Sequence, residues 1–395
     1  MKKSILLFSA LLALATGFNS CSSDDNGDVE VIINPDTNPN PDPMAEGNEI
    51  GGTLTADLVL EANEEYILTE ALIVPEGFTL TINPGVVVRA NTGSDVFVAI
   101  AQGGTINAEG TSSNPIVFTS NDATPNAGDW GGLIVLGRAP INSVAGGNAT
   151  STSEIGGLPY GGSIVNDNSG IIRYLRIEYS GGSASASSEN NGFSFYGVGN
   201  GTTVAFIQAF EGLDDGIEFF GGTVNASNIS VVGAQDDSVD WTEGFTGTLT
   251  DVYIEHRQSH DKGIEGDGFN TDIGNNASPI FWSAPTINNI TIVGLGSTNE
   301  NEAVRLRAGT RALFTNVLIE GFEEGFDLDG DAGASPTGQG VLDGDTGVTD
   351  VTFTDVILNL KNDTGATFTD ATFFTGIGNG TGTDYTSWRA GWTRN

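Results

Sequence analysis

Apolar and polar residues alternate in short runs along the body of the chain. Between residues 190 and 330 one run keeps returning: NNGFSFY (190–196), DDGIEFF (214–220), DDSVDWT (236–242), DKGIEGD (261–267) and EEGFDLD (323–329), with NEAVRLR (301–307) in the same frame. Aligned on Gly192, Gly216, Ser238, Gly263, Ala303 and Gly325, the copies are spaced by 24, 22, 25, 40 and 22 residues. A period of about two dozen residues belongs to a solenoid. Each copy sets a small residue before an apolar/polar alternation, which predicts a strand.

A second phrase fixes the frame. Asn228-Ile229, Asp251-Val252, Asn289-Ile290, Asn316-Val317 and Asp355-Val356 each open another alternating strand. Three of them follow the first phrase by 12 or 13 residues; Asn289 follows Gly263 by 26 and Asp355 follows Gly325 by 30. The excess is polar and glycine-rich: DGFNTDIGNNASP (267–279) and DGDAGASPTGQGVLDGD (329–345). Both insertions leave the rung after its first strand. They are therefore expected on one side of the solenoid, walling a groove.

No heptad pattern and no helix-length amphipathic stretch interrupts the body, so the fold class is all-β. A solenoid grows by repetition, which lets 395 residues form one domain. The chain divides into a signal peptide (1–20), a lipidated cysteine with a disordered tether (21–50), and the solenoid with a C-terminal cap (51–395). Lys2 and Lys3 precede an apolar run, Ile5 to Phe18, that is too short to span a membrane comfortably. Cys21, the one cysteine, follows at once. The stretch NPDTNPNPDP lacks the apolar surface to fold and reads as an extended spacer. With a single cysteine the body forms no internal disulfide.

Charge narrows the partners. Removing residues 1–20 takes away two lysines and no acid, so the mature balance is 12 − 51 = −39. Such acidity argues against nucleic acid and anionic lipid surfaces as partners. Contact with a membrane is expected only through the lipid anchor.

Several stretches resemble known families. Phe18-Asn19-Ser20-Cys21 resembles a bacterial lipobox, and Ser22-Ser23-Asp24-Asp25 resembles the acidic signal that exports Bacteroidota lipoproteins to the outer face of the cell. This implies an outer-membrane, outward-facing location. LTEALIVPEGFTLTINPGVVVRA (68–90) and DVFVAIAQGGTINAEGTSSNPIVFTS (95–120) resemble the opening rungs of right-handed parallel β-helices of the pectate-lyase-like fold. GDWGGLIVLGRAPIN (128–142), IIRYLRIEYSGG (171–182) and residues 214–241 are similar to a set of bacterial outer-membrane β-helix lipoproteins. The implied fold is a right-handed parallel β-helix capped at its ends. The tail around Trp388 and Trp392 is expected to fold over the last rung, because an open solenoid end exposes core and unpaired edges.

Alternation then assigns faces. Ile217, Phe219, Val239, Ile264, Val304 and Phe326 are expected inside, because burying unpaired acids is costly. Glu218, Asp240, Glu265, Arg305 and Asp327 form an outward column spaced by roughly 4.8 Å. Asp267, Arg307 and Asp329 stand in a second. Stacked like charges repel by about 1 kcal/mol or more even in water-like surroundings. Lys262, Arg305 and Arg307 offset part of this, and a metal ion would offset more.

The order of rungs also resembles polygalacturonase-type glycoside hydrolases. On that likeness Asp215, Asp236 and Asp237 take the places of catalytic acids, and Arg305 and Arg307 those of a substrate-binding pair. The pattern departs where Lys262 stands in place of a histidine; His260 lies two residues away, and the other histidine of the chain is His256. Asp327-Leu328-Asp329-Gly330-Asp331 resembles the start of a calcium loop, with oxygen ligands on alternate residues. No Ser-His-Asp arrangement, zinc-ligand spacing or phosphate loop is visible. The expected function is binding of an extracellular glycan, or of an outer-membrane protein partner, along residues 214–331, with Ca²⁺ as a candidate cofactor. The ligand-binding set is Glu218, Asp240, Lys262, Glu265, Asp267, Arg305 and Arg307. The alternatives are a glycoside hydrolase or polysaccharide lyase using the stacked aspartates, and a purely structural or adhesive solenoid.

Overall fold

The computed structural model describes residues 44–45, 48–143, 150–185, 188–257, 260–270, 281–330 and 336–395. The readings placed on the signal segment, Cys21 and most of the tether lie outside these residues. So do Asp331 and most of the 267–279 insertion. Among the described residues no helix is long and apolar enough to cross a membrane.

Among the described residues, twenty-three strands hydrogen-bond into one continuous sheet. All pairings in it are parallel except the short strand Met44–Ala45 against Glu49–Thr53. The chain coils through three strand columns and advances one rung per circuit, which is a parallel β-helix. The first column stacks Leu133–Leu136, Phe193–Tyr196, Ile217–Phe220, Val239–Thr242, Ile264–Asp267, Glu302–Arg307 and the end of Leu313–Leu328. The predicted register holds: Phe193, Ile217, Val239, Ile264, Val304 and Phe326 pair in turn, so the small residue before each lies in register too.

The second and third columns meet at a sharp corner. There Asn228, Asp251, Asn289, Asn316 and Asp350 all carry positive φ, between 53° and 61°. Asn and Asp tolerate this left-handed conformation better than other residues with a Cβ. The side chains also stack: Asn316 Nδ2 donates to Asn289 Oδ1 (2.9 Å), and Asn289 Nδ2 to Asp251 Oδ1 (3.1 Å). One expectation needs correction here. Val317 pairs with Val351, so the last rung turns this corner at Asp350-Val351, and Asp355 occupies the following corner.

Alternation packs the interior. Ile217, Phe219, Val239, Trp241, Ile264, Val304, Leu306 and Phe326 are buried in one core. Phe219 stacks between Phe195 (5.3 Å) and Phe245 (4.4 Å), so aromatic columns run along the axis. Each such side chain contributes about 1.5–3 kcal/mol by leaving water.

The C-terminal tail does not cover the last rung as expected. Phe373 and Phe374 pack there instead, against Phe326. The tail runs back along the outside of the corner and the third column. Thr381 N–H donates to Asn316 Oδ1 (2.7 Å), Tyr385 stacks on Tyr253 (3.8 Å), and Trp392 packs edge-on to Tyr174 and Phe206. Arg394 reaches Gln208 and Glu178. It is a strap across the rungs, with Trp392 fully buried beneath it.

Candidate functional site

The outer face of the first column presents every second residue to the outside of the barrel. Register places Ala99, Ile134, Ser194, Glu218, Asp240, Glu265, Arg305, Asp327 and Lys361 in one line. A neighbouring line runs Leu136, Tyr196, Phe220, Thr242, and continues with Asp267 beside Arg307. The lines are apolar at the early rungs, acidic in the middle and mixed in charge at the end.

The apolar part is covered. A hairpin of Ser151–Thr152 and Pro159–Tyr160 lies on it, giving a second core of Ile134, Leu136, Ile155, Tyr160, Tyr196 and Phe220 outside the barrel. Tyr196 and Phe220 stack at 3.9 Å. The Tyr160 hydroxyl donates to Glu243 Oε2 (2.6 Å), and Asn270 Nδ2 reaches Glu243 Oε1 (3.3 Å). Burial raises Glu243 above the usual carboxylate range, while these hydrogen bonds pull it back. Nothing in the sequence periodicity signals this hairpin, which makes one wall of the site.

Where the hairpin ends the acids begin, recessed rather than projecting into water. Asp214, Asp215, Asp237 and Glu265 are buried, and Glu218, Asp236 and Asp240 are half-buried. Their oxygens converge. Asp214, Asp215 and Asp236 bring carboxylate oxygens within 4.8 Å of one another, as do Asp215, Glu218 and Asp240, and Asp237, Asp240 and Glu265. Burial, followed by the nearby Glu189 and Asp236 charges, pushes Asp214 up to about 8. Burial is also the leading cause that raises Asp215, Glu218, Asp236, Asp237 and Asp240, with their neighbouring carboxylates second.

Two of these acids are tied to the backbone. Asp215 Oδ1 accepts the N–H of Asp237 (2.9 Å), and Asp237 Oδ1 accepts the N–H of Lys262 (2.8 Å). Each carboxylate thus clips its rung to the next. Glu218 Oε2 accepts Asn191 Nδ2 (2.7 Å). Asp240 Oδ1 is buried and has no hydrogen-bond partner.

The later rungs carry their own cations. Lys262 Nζ pairs with Asp261 and lies 3.5 Å from Glu265; burial pulls its pKa down, but the surrounding carboxylates outweigh this and raise it. Arg307 pairs with Glu265 and, at 2.6 Å, with Asp267. Arg305 Nε donates to Asp329 Oδ2 (2.8 Å), and Lys361 Nζ to Asp327 Oδ2 (3.0 Å).

Of the expected residues, the structure gathers Asp215, Asp236, Asp237, Glu218, Asp240, Glu265, Lys262, Asp267 and Arg307 on one recessed face. Arg305, Asp327 and Asp329 stand further along it, in ion pairs. Asp214 belongs with the first group, although its position beside Asp215 gave it no separate role in the sequence. Phe269 and Trp282, half-exposed and 5.9 Å apart, stand beside the Asp267 end. Trp282, which follows the first insertion, and Pro336 of the second both crowd Gly309. A cavity of about 330 Å³ lies elsewhere, by Phe353, Asp355 and Ile377, and takes in none of these acids.

The chemistry open to this face follows from its atoms. Oxygen-only carboxylate groups suit a hard divalent cation, and the partnerless Asp240 oxygen fits a ligand position. A carboxyl that keeps its proton near neutrality, beside one more exposed, can also supply an acid and a base. A family profile described as a pectate-lyase-like β-helix domain matches residues 52–393. No curated protein and no solved structure matches the chain.

Proposed function

The chain belongs to the pectate-lyase-like β-helix domain family, and we propose that it is a cell-surface lipoprotein whose recessed acidic face binds an extracellular glycan together with Ca²⁺. One observation carries this reading. Asp214, Asp215, Glu218, Asp236 and Asp240 crowd together, and among the described residues none of them makes an ion pair. A cation that neutralises them, and whose open positions accept sugar hydroxyls or carboxylates, relieves that repulsion. Residues of the later rungs, Arg307, Arg305 and Lys262, flank the acids with donors. Phe269 and Trp282 offer apolar faces for a sugar ring.

A second reading, glycoside hydrolysis or lysis, is favoured by Asp214. Burial pushes it up to about 8, and its carboxylate lies within 4.8 Å of that of Asp236, near the spacing of the acid and the nucleophile in retaining glycoside hydrolysis. The trio expected from sequence, Asp215, Asp236 and Asp237, includes two residues already clipped to backbone N–H groups. Their replacement has to be read against stability as well as activity.

Calorimetry separates the readings. Ca²⁺ followed by a glycan panel would be titrated into the wild type, Asp240→Asn and Asp237→Asn, with products assayed in parallel. Ca²⁺-dependent glycan binding without turnover, weakened in both variants, supports the first reading. Turnover lost in Asp237→Asn with the fold intact supports the second. A wild type that binds neither Ca²⁺ nor any glycan sinks both and leaves a structural solenoid. Anchoring is tested apart: Cys21→Ala should release the protein from the membrane fraction, and unchanged fractionation ends the lipoprotein reading.

A further inference from the structure

The two histidines of the chain lie together, outside the acidic face, on one buried carboxylate. His256 directly follows the strand Thr248–Glu255, and its N–H donates to Val293 O on the next rung (2.9 Å). His260 lies in the same corner turn. Glu300 comes from the corner turn one rung on, between Thr286–Val293 and Glu302–Arg307. His256 Nδ1 lies 3.1 Å and His260 Nδ1 3.0 Å from the same atom, Glu300 Oε2. The side chains of His256 and Glu300 are fully buried, and that of His260 is 14% exposed.

From this geometry we infer a zinc site formed by His256, His260 and Glu300. Zinc binds imidazole nitrogen and carboxylate oxygen at about 2.0–2.2 Å, so two ligand atoms of a tetrahedral site stand about 3.4 Å apart. The two nitrogen-to-oxygen distances lie within a few tenths of an ångström of that, and ligand atoms of all three residues lie within 4.8 Å of one another. Imidazole pairs with one carboxylate suit zinc rather than calcium, which takes oxygen. One further observation points the same way. Glu300 is held ready: Leu295 N–H donates to its other oxygen (2.7 Å), and a Cβ on Gly294 would stand 2.9 Å from Glu300 Cγ, so glycine makes room for the side chain.

The third ligand comes from another rung, which is why linear spacing did not reveal the site. A metal here joins two successive corner turns. The turn with His260 leads straight into Asp261 and Lys262, so the ion also braces the edge of the acidic face. The inference stands whether or not that face binds glycan.

The test uses the full chain with Cys21→Ser, which removes the one thiol that competes for zinc. Zn²⁺ alone is titrated by calorimetry, and Co²⁺ is substituted for visible spectroscopy. One ion per chain is expected, with nitrogen- and oxygen-ligand d–d bands of low coordination number. His260→Gln keeps a donor for Glu300 but lowers zinc affinity by more than about 100-fold, beyond what loss of a supporting partner costs. Asp240→Asn leaves affinity unchanged. No binding by the parent protein, equal binding by His260→Gln, or a loss that follows Asp240→Asn instead overturns the proposal. If His260→Gln fails to fold by circular dichroism, the parent Co²⁺ spectrum decides: weak bands of an all-oxygen octahedral site refute it.

Discussion

The early and late halves of the acidic column share one backbone and differ in one respect. Glu218 and Asp240 occupy the same outward register as Glu265 and Asp327, one rung after another. In the late half each carboxylate meets a cation: Glu265 and Asp267 meet Arg307, Asp329 meets Arg305, and Asp327 meets Lys361. In the early half, among the described residues, Asp237 lies 4.0 Å from Lys262, while Asp214, Asp215, Glu218, Asp236 and Asp240 make no ion pair. Stacking sets the spacing of charges in both, so side-chain identity alone decides whether the column neutralises itself. The late half balances its charge with its own side chains, although Asp327 Oδ1 there is also buried without a hydrogen-bond partner. The early half holds charge that only protons or an added ion can balance, which is why the ligand site is placed there.

The largest effect should come from breaking the late half. Arg307→Met removes the cation that the buried carboxylates of Glu265 and Asp267 share, and leaves Glu265 with Lys262 alone at 3.5 Å. It should destabilise the protein by about 3 kcal/mol in denaturant titrations at neutral pH. A cost below about 1 kcal/mol would mean that the two halves are not electrostatically distinct.

The next effect belongs to the early half and has the opposite dependence. Asp214, raised to about 8, and Asp215, Glu218, Asp236, Asp237 and Asp240, also raised, bind protons more tightly folded than unfolded. Their contribution is fully present below the ordinary carboxylate range and is lost as pH rises through the folded values. Metal-free protein should therefore lose about 2 kcal/mol of stability between about pH 5 and pH 9. Saturating Ca²⁺ should flatten that slope. Asp240→Asn should raise metal-free stability by about 1 kcal/mol at about pH 9 and by less as pH falls, because burial and then Glu265 make the folded protein hold that proton more tightly. A calcium-insensitive slope would remove the reason for placing an ion among these acids.

Much of this contrast was legible in the chain because a β-helix turns sequence period into spatial column. Once Gly216, Ser238 and Gly263 were aligned, Glu218, Asp240 and Glu265 had to stack. What the period could not supply are contacts made across it. The hairpin around Tyr160 reaches Glu243 over 83 residues, and the tail reaches Glu178 over 216. Neither repeats, so neither has a signature. The corner at the last rung was misplaced because two Asp-Val pairs compete there, and Asp350 and Asp355 both adopt positive φ. A groove walled by the two insertions is expected from the sequence, but the burial of the acids beside the Tyr160 hairpin is not, since alternation distinguishes inside from outside the barrel and not covered from exposed.

The smallest effect is the control that gives the first its meaning. Arg89 and Glu65 also pair across adjacent rungs, at 3.0 Å, but their side chains are 41% and 61% exposed. Water screens such a pair, and holding two long side chains in one geometry costs entropy that offsets the attraction. Arg89→Met should change stability by no more than about 0.5 kcal/mol, and less in high salt. If it costs as much as Arg307→Met, then pairing by itself governs the ladder and burial does not. The recessed early acids would then be no more strained than any surface cluster, and the case for an ion among them would fall with that result.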